Sequence, residues 1–279
     1  MTQAKRIRHI FHPTDLQAGS DVAFIHALRL TVAAPASLTI LHVKTSDEEA
    51  DMGSLPHVRD TLASWGVIPN ESGAEELAAM GVGVRKIVTN GSPVEACLDH
   101  LDRHPTDLTV LHTTQRAGRS TWLASRVSEP LARSAGGMTL LVPEGVPGFV
   151  LAGTGEVRLR RALIPLAATP APQQSIDMAS EIAELLGMEE MEFHLLHVGE
   201  NGEFPRVHAP ERKGWKWVEH LKSGAVVDTI LQAERDLLPD LMVMTTQGHD
   251  GFLDALRGST TERVLRHIRC PLLTAVSNG

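Results

Sequence analysis

Tyrosine is absent from this sequence, and phenylalanine and tryptophan bring the aromatic content to only 4% of 279 residues. So few aromatic side chains argue against a base-stacking surface for single-stranded nucleic acid. A basic surplus is absent too, since the formal charge is −8. An acidic protein has no bulk electrostatic attraction to nucleic acid or to an anionic membrane. We therefore expect neither among its partners.

Cysteine is scarce, and long apolar runs are missing. Cys97 and Cys270 lie far apart without a CxxC pair, so neither a disulfide framework nor a cysteine zinc site is expected. No apolar run reaches the roughly 18 residues of a membrane span, and the first residues lack the apolar stretch of a secretory signal. With 42% hydrophobic residues, the composition predicts a soluble, cytoplasmic, globular protein.

The clearest positive feature is an internal repeat. An offset of 133 residues (240 − 107) pairs Asp107 with Asp240, together with the apolar runs that follow them. The same offset lays the last strand of the first half, 138–142, over 271–275. We predict two homologous domains, residues 1–147 and 148–279. A small hairpin between 149 and 159 is expected at the join.

The order of elements within each half predicts the fold class. Strands and helices alternate, and short continuous apolar strands such as 108–111 and 241–244 suit a parallel sheet covered on both faces. Residues 176–186 have a helical apolar period, and Gly187 supplies the stop. The stretches 45–83 and 199–214 are expected to form loop and irregular helix. The prediction is α/β, with two doubly wound domains, each a five-stranded mostly parallel sheet flanked by helices.

The loop after the fourth strand of the second half is the candidate ligand site, because open parallel sheets bind ligands beyond the carboxyl ends of their strands. Gly248, Gly251 and Gly258 would let backbone N–H groups approach an anion closely. Ser259 and Glu262 form a capping box that opens the last helix, whose amino end suits phosphate. Helix capping with turn glycines is the alternative interpretation.

The two halves, the LLHV second strand and the Gly-x2-Gly-x9-Gly-Ser type of loop resemble the universal stress protein family in its tandem form. In nucleotide-binding members that loop surrounds the phosphates and ribose, an aspartate after the first strand lies near the adenosine, and the end of the second strand holds adenine. The resemblance implies an adenine nucleotide, ATP or AMP, with Mg²⁺ accompanying ATP and no other metal required. It also implies a regulatory role in stress and self-association through the last strands, 138–142 and 271–275.

Each half departs from the family pattern in a different way. The second half keeps Gly248, Gly258 and Ser259, has Thr245 in place of the first glycine, and has Ala167 where the aspartate is expected. The first half keeps the aspartate but has His112, Gln115, Ser125 and Arg126 in the loop positions. The resemblance therefore implies a degenerate first domain and a nucleotide site in the second. The implied binding residues are Val198, Thr245, Gly248, Gly258, Ser259 and Thr260, with a weaker first-domain set of Asp15 and Val43.

Other chemistry has less support. His42 and His197 occupy equivalent strand ends and are expected to be structural, whereas His100 and His104 have the i, i+4 spacing that would allow chelation. One metal option remains in the ligand loop, at His249, Asp250 and Asp254. No catalytic residue is assigned, so the sequence favours a binding protein with at most weak ATP hydrolysis. The alternatives are a ligand-free dimerisation scaffold and a metal-dependent hydrolase that uses the 249–254 loop.

Overall fold

A computed structural model describes residues 7–44, 50–70, 73–113, 137–168, 171–199, 203–246 and 260–277. The first half contains β1 (His9–Thr14), α1 (Ala18–Ala33), β2 (Ser37–Lys44), α2 (Val58–Ser64), α3 (Ala74–Ala79), β3 (Gly83–Asn90), α4 (Pro93–Arg103), β4 (Leu108–Thr113) and β5 (Met138–Pro143). The second half contains β6 (Arg161–Leu166), α5 (Pro172–Leu185), β7 (Met191–Val198), β8 (Trp215–Lys222), α6 (Val226–Leu237), β9 (Leu241–Thr246), α7 (Thr260–Leu265) and β10 (Leu272–Val276).

All ten strands belong to one continuous sheet, in the order β3-β2-β1-β4-β5-β10-β9-β6-β7-β8. Every neighbouring pair is parallel except β5 and β10, which are antiparallel. The two halves therefore have the same strand order and meet through their last strands, with Leu272 opposite Leu141 and Thr274 opposite Thr139. The α/β class and the two-domain organisation are confirmed.

The predicted pairing of the last strands takes place inside one chain. β5 lies between β4 and β10, and β10 lies between β5 and β9, so both edges of each strand are occupied. Self-association of two chains, which the resemblance implied through these same strands, stays a prediction, as does the boundary between residues 147 and 148.

The repeat extends to matching hydrogen bonds. A carboxylate oxygen of Asp107 accepts the backbone N–H groups of Arg8 and His9, at 2.9 and 3.0 Å. Asp240 does the same for Arg160 and Arg161, at 2.7 and 2.9 Å. These aspartates anchor the start of the first strand of each half, which explains why the sequence places them at the same position of the repeat.

The imidazoles at the ends of the second strands are equivalent too. His42 Nδ1 donates to the carbonyl of Thr14, and His197 Nδ1 donates to the carbonyl of Leu166, both at 2.8 Å. Each ring thus links the second strand to the end of the first. The structural role predicted for His42 and His197 is confirmed.

Helix α5 follows its apolar period. The residues predicted for its inner face are buried: Ile176, Ala179, Ile182, Ala183 and Leu186. Gly187 has a φ of +69°, the left-handed conformation that ends a helix at little cost for glycine. The predicted position of the helix end is confirmed.

A hairpin joins the halves, as predicted. Val150 and Val157 form an antiparallel bridge, and Arg158 N–H donates to the carbonyl of Phe149 at 2.7 Å. The hairpin is fixed to the first half, because His26 Nε2 accepts Phe149 N–H at 2.9 Å and Trp65 Nε1 donates to the carbonyl of Ala152 at 2.8 Å.

The two stretches that the sequence pattern describes least contain little regular structure. In 45–83 the described part has only the short helices α2 and α3, and described residues 203–212 form no helix or strand. Trp215 and Trp217 both pack on Phe193, with ring centroids 5.0 and 4.0 Å away. In the part of the chain that the structure describes, none of the helices combines the length and apolarity needed to cross a bilayer.

Candidate functional site

Each half has an equivalent crevice at the carboxyl ends of its own strands, and because β5 and β10 are antiparallel the two crevices lie at opposite edges of the ten-stranded sheet. In the first half the chain moves outward from β1 through β2 to β3 and then returns to the other side of β1 with β4. The second half repeats this path with β6, β7, β8 and β9. Such a reversal of strand order opens a crevice beyond the strand ends, here between β1 and β4 and between β6 and β9.

In the first crevice, Asp15 organises the turn that follows β1. Its Oδ1 accepts Gln17 N–H at 3.1 Å and the Ser20 hydroxyl at 2.5 Å, which fixes the entry to α1. The pKa of Asp21, one turn into the helix, is raised by partial burial and by the nearby carboxylate of Asp15. The retained aspartate therefore has a structural role at a helix start that already carries negative charge.

His112, near the end of β4, lies beside the same crevice and packs on the start of α1. Its ring packs against Gly19 in the first turn of α1, so closely that a β-carbon at Gly19 would overlap the ring. The side chain is buried, and neither ring nitrogen has a hydrogen-bond partner among the described residues. Burial lowers the pKa of His112, so the ring is uncharged at neutral pH. The residue at the position of the first loop glycine therefore lies, uncharged, against the first turn of α1.

A second buried imidazole lies within the strand layer of the first half. His12 is completely buried, and its Nδ1 donates to the carbonyl of Val110 at 3.0 Å. Its Nε2 has no hydrogen-bond partner among the described residues. Burial lowers the pKa of His12 to about 4, against the smaller opposing effects of the Val110 hydrogen bond and the Asp15 charge. His12 is therefore neutral and structural at physiological pH.

The second crevice has small side chains at the corresponding positions. Thr245 takes the place of His112, and its hydroxyl accepts a hydrogen bond from Ser175 on α5 at 3.3 Å. At an offset of 152 residues (167 − 15), Ala167 takes the place of Asp15, and Ala171 that of Gly19. Thr245 is only half-buried. No imidazole fills this crevice among the described residues around it, and no carboxylate organises the turn after β6.

The structure brings several of the predicted site residues to the carboxyl edge. Val198 and Thr245 end parallel strands at that edge, and Thr260 begins α7. In the first half Asp15 and Val43 lie at the carboxyl ends of β1 and β2, which is the opposite edge of the ten-stranded sheet, and Val43 is buried. Gly248, Gly258 and Ser259 lie outside the described residues, as does the metal option at His249, Asp250 and Asp254. The roles of all these residues in ligand binding remain predictions.

The packing of His112 on Gly19 is the main feature of the crevices that sequence reasoning missed. The loop pattern identified His112 as a replacement but contained no information about where its ring would lie. The difference between Gly19 and Ala171 is the available signal, because a glycine in the first turn of a helix leaves room for a neighbouring ring.

The chelation option at His100 and His104 does not match the observed geometry. Their rings stack with centroids 4.3 Å apart, and His104 Nδ1 bonds to the carbonyl of His100 at 2.9 Å. Within the described ranges, no group of three or more His, Cys, Asp or Glu side chains could hold a metal ion.

Cys97 and Cys270 are buried free thiols, and burial raises the pKa of Cys97 to about 12. Both therefore pack in the core.

Comparison with solved structures supports the tandem architecture. A universal stress protein from Archaeoglobus fulgidus matches 97% of this chain and 98% of its own, with a TM-score of 0.61 and 17% identity. A putative universal stress protein from Pseudomonas aeruginosa matches 97% of this chain and 93% of its own, with a TM-score of 0.56 and 13% identity. At these identities the likeness shows the fold alone.

Comparison of sequences gives the family. No curated protein matches this chain. The family model described as "Universal stress protein family" matches residues 6–143 and 206–275, which is well over half of the chain. The unmatched segment includes β6, α5 and β7, the part in which Ala167 replaces the expected aspartate. On this match, and with the repeated strand order and the two crevices described above, the chain belongs to the universal stress protein family.

Proposed function

We propose that this protein is a stress-response regulatory protein that binds an adenine nucleotide, ATP or AMP, in the crevice of its second half. The observation that carries the proposal is the difference between His112 and Thr245 at the ends of β4 and β9. The imidazole packs on Gly19 beside the first crevice, whereas the second crevice has a smaller, half-buried threonine at the same position, which supports a ligand there. Family membership makes a nucleotide the relevant ligand class.

Different residues of the proposed site would contact different parts of the nucleotide. Backbone N–H groups at Gly248, Gly258 and Ser259 would hold the phosphates, since glycines permit close approach and the amino end of a helix favours anions. The hydroxyls of Thr245 and Thr260 would add donors beside them. The backbone of Val198 would hold adenine. Mg²⁺ would accompany ATP, and no other metal is required.

The missing aspartate sets the expected affinity. Ala167 cannot contact the adenosine as a carboxylate would, and the loss of one such hydrogen bond costs about 1–3 kcal/mol. We therefore expect a dissociation constant tens of times higher than that of a site with the aspartate. The same change removes a negative charge from the crevice, which favours a ligand with several phosphates.

The test introduces the histidine of the first crevice at the corresponding position of the second, residue 245. Isothermal titration of ATP, ADP and AMP is performed on the wild type, on Thr245→His and on the matched control Thr245→Ser, which keeps a hydroxyl near Ser175. We expect binding to the wild type and to Thr245→Ser, and at least about tenfold weaker binding to Thr245→His, a loss of about 1.4 kcal/mol. Gly258→Val provides a second variant in the loop, and circular dichroism checks that each protein is folded.

Two results would overturn the proposal. One is the absence of binding heat for all three nucleotides with folded wild type. The other is equal affinity of Thr245→His and Thr245→Ser. Either result would leave the ligand-free scaffold as the better description of the family fold in this chain.

A further inference from the structure

A groove between α6 and α7 of the second half concentrates positive charge in an otherwise acidic protein. It has a volume of about 600 Å³, and its lining includes four arginines and a histidine: Arg235, Arg263, Arg266, Arg269 and His267. Asp228 is the acidic residue of the lining, and Val227 and Leu231 form an apolar floor. The whole chain has a formal charge of −8, so this cluster opposes the overall charge.

Most of the cluster belongs to the second half alone, since only Arg266 of its four arginines has an arginine, Arg133, at the matching position of the first half. At the repeat offset of 133 residues, the positions of Arg235, Arg263 and Arg269 hold Asp102, Pro130 and Gly136 in the first half. The shared fold therefore does not require these arginines, because the first half forms the same sheet without them.

Ordinary helix stabilisation explains only part of the arrangement. Arg266 pairs with Glu262 at 2.5 Å, and Arg235 lies in the last turn of α6, where it also contacts Gln232. No hydrogen bond or ion pair joins the guanidinium groups of Arg263 and Arg269 to another residue in the described ranges. Like charges that converge on one groove repel one another, and a bound anion would relieve that repulsion.

The turn that carries Arg269 is held in place. The backbone N–H of Arg269 donates to Oε1 of Glu234 at 3.0 Å, and Glu234 is a buried carboxylate of α6. The backbone of this arginine is therefore fixed before any ligand arrives, which lowers the entropy cost of binding.

The geometry points to a second binding site: we propose that this arginine groove binds a small anion with two or more phosphate groups. Arginine is the side chain best suited to phosphate because its planar guanidinium donates two parallel hydrogen bonds. Positive charge comes from both walls, with Arg235 on α6 and the other arginines on α7 and the turn after it, so one phosphate would not reach them all. The volume lies within the usual range for small-molecule sites.

The groove is distinct from the nucleotide crevice. Arg235 and Arg269 come shortly before β9 and β10, so they lie near the amino edge of the parallel strands, whereas the crevice lies at the carboxyl edge. The five or six residues of these strands separate the two edges by roughly 15–20 Å. The two proposals can therefore fail independently.

Titration of inorganic tripolyphosphate into the full chain at fixed ionic strength tests the site. We expect wild type to bind, and the double variant Arg235→Gln/Arg269→Gln, which changes the two arginines at the amino edge and away from Thr260, to bind at least about tenfold more weakly. The control is Arg103→Gln/Arg158→Gln, which removes the same charge from exposed arginines elsewhere and should bind like wild type. Titration of CTP distinguishes the sources of phosphate. Affinity equal to that of tripolyphosphate assigns an inorganic ligand, and tighter groove-dependent binding assigns a nucleotide.

Four results would overturn the proposal. They are no heat with wild type, an equal loss in the control variant, displacement of tripolyphosphate by AMP, and tighter binding of a short DNA duplex than of tripolyphosphate. Displacement by AMP would place the phosphates in the carboxyl-edge crevice. If ATP, ADP and AMP show no binding that Thr245→His weakens, the nucleotide proposal fails while the arginine variants still decide this one.

Discussion

The two crevices of this protein rest on nearly the same framework and differ in the side chains beside them. Both halves order their strands identically, start with a strand anchored by an aspartate, and link their second strand to the first by a histidine. In the first half the ring of His112 packs on α1 beside the crevice, whereas the second half has Thr245 at that position. The framework therefore does not depend on the crevice residues, which is why these residues can differ between the halves without loss of the fold.

The halves also differ at three positions where the first half buries a histidine side chain and the second half has another residue. The first half buries His12, His26 and His112, where the second half has Ile164, Met178 and Thr245. Burial lowers the pKa of His12 and of His26 to about 4. His26 Nε2 also accepts two backbone N–H groups of the linking hairpin, so its protonation would remove both acceptor interactions. The first half thus has a sensitivity to acid that the second half lacks at these positions.

The largest expected effect is on the pH dependence of stability. Because the folded pKa of His12 lies below its unfolded value of about 6.5, stability is complete above pH 6.5 and declines as the pH falls toward 4. One such group accounts for about 3 kcal/mol over that interval. We expect His12→Ile, which introduces the residue of the second half, to flatten the decline by that amount, as measured by urea unfolding from pH 7.5 to 4.

The matched control for this experiment is His57→Gln, which changes an exposed side chain on the approach to α2. Its unfolding free energy should follow the wild-type curve at every pH. Parallel curves for wild type and His12→Ile would show that His12 takes up its proton in the folded state, and the proposed difference between the halves would be wrong.

An intermediate effect is expected where His112 meets Gly19. Gly19→Ala gives the first half the β-carbon that Ala171 has in the second, and this carbon would overlap the imidazole. Overpacking of this kind costs about 1–3 kcal/mol. In Gly19→Ala/His112→Thr the ring is absent, so most of that cost should disappear. A double-mutant cycle of unfolding free energies measures the coupling, and additive effects would contradict the packing described here.

The sequence predicted those features that depend on pattern and local chemistry. The repeat offset located equivalent strands, because each strand is a short apolar pattern that recurs at a fixed spacing. The hairpin at 149–159 was predicted from residues that are neighbours in the chain. The packing of His112 on Gly19 could not be predicted in the same way, since it depends on how α1 packs beside β4. The arginine groove was missed for a similar reason. Arg235 and Arg269 are 34 residues apart in the chain (269 − 235), with β9 and α7 between them, and only the packing of α6 beside α7 brings them to one surface.

The smallest expected effect concerns the equivalent helices α4 and α6. Ser92 caps α4 by accepting Glu95 N–H at 3.5 Å, whereas Ala225 precedes α6 with no side-chain cap. The backbone is the same at both positions, with φ and ψ of −74° and 120° for Ser92 and −67° and 120° for Ala225. A serine at residue 225 should therefore find the same geometry.

We expect Ala225→Ser to raise, and Ser92→Ala to lower, the unfolding free energy by about 0.5–1 kcal/mol, the low end for caps because the observed bond is long. Urea unfolding resolves changes of this size when the slopes agree. Stabilisation by Ala225→Ser would show that the halves are interchangeable at their helix starts as well as in their strands. If Ala225→Ser leaves the unfolding free energy unchanged while Ser92→Ala lowers it, the two helix starts share their backbone conformation but not the ability to use a serine cap.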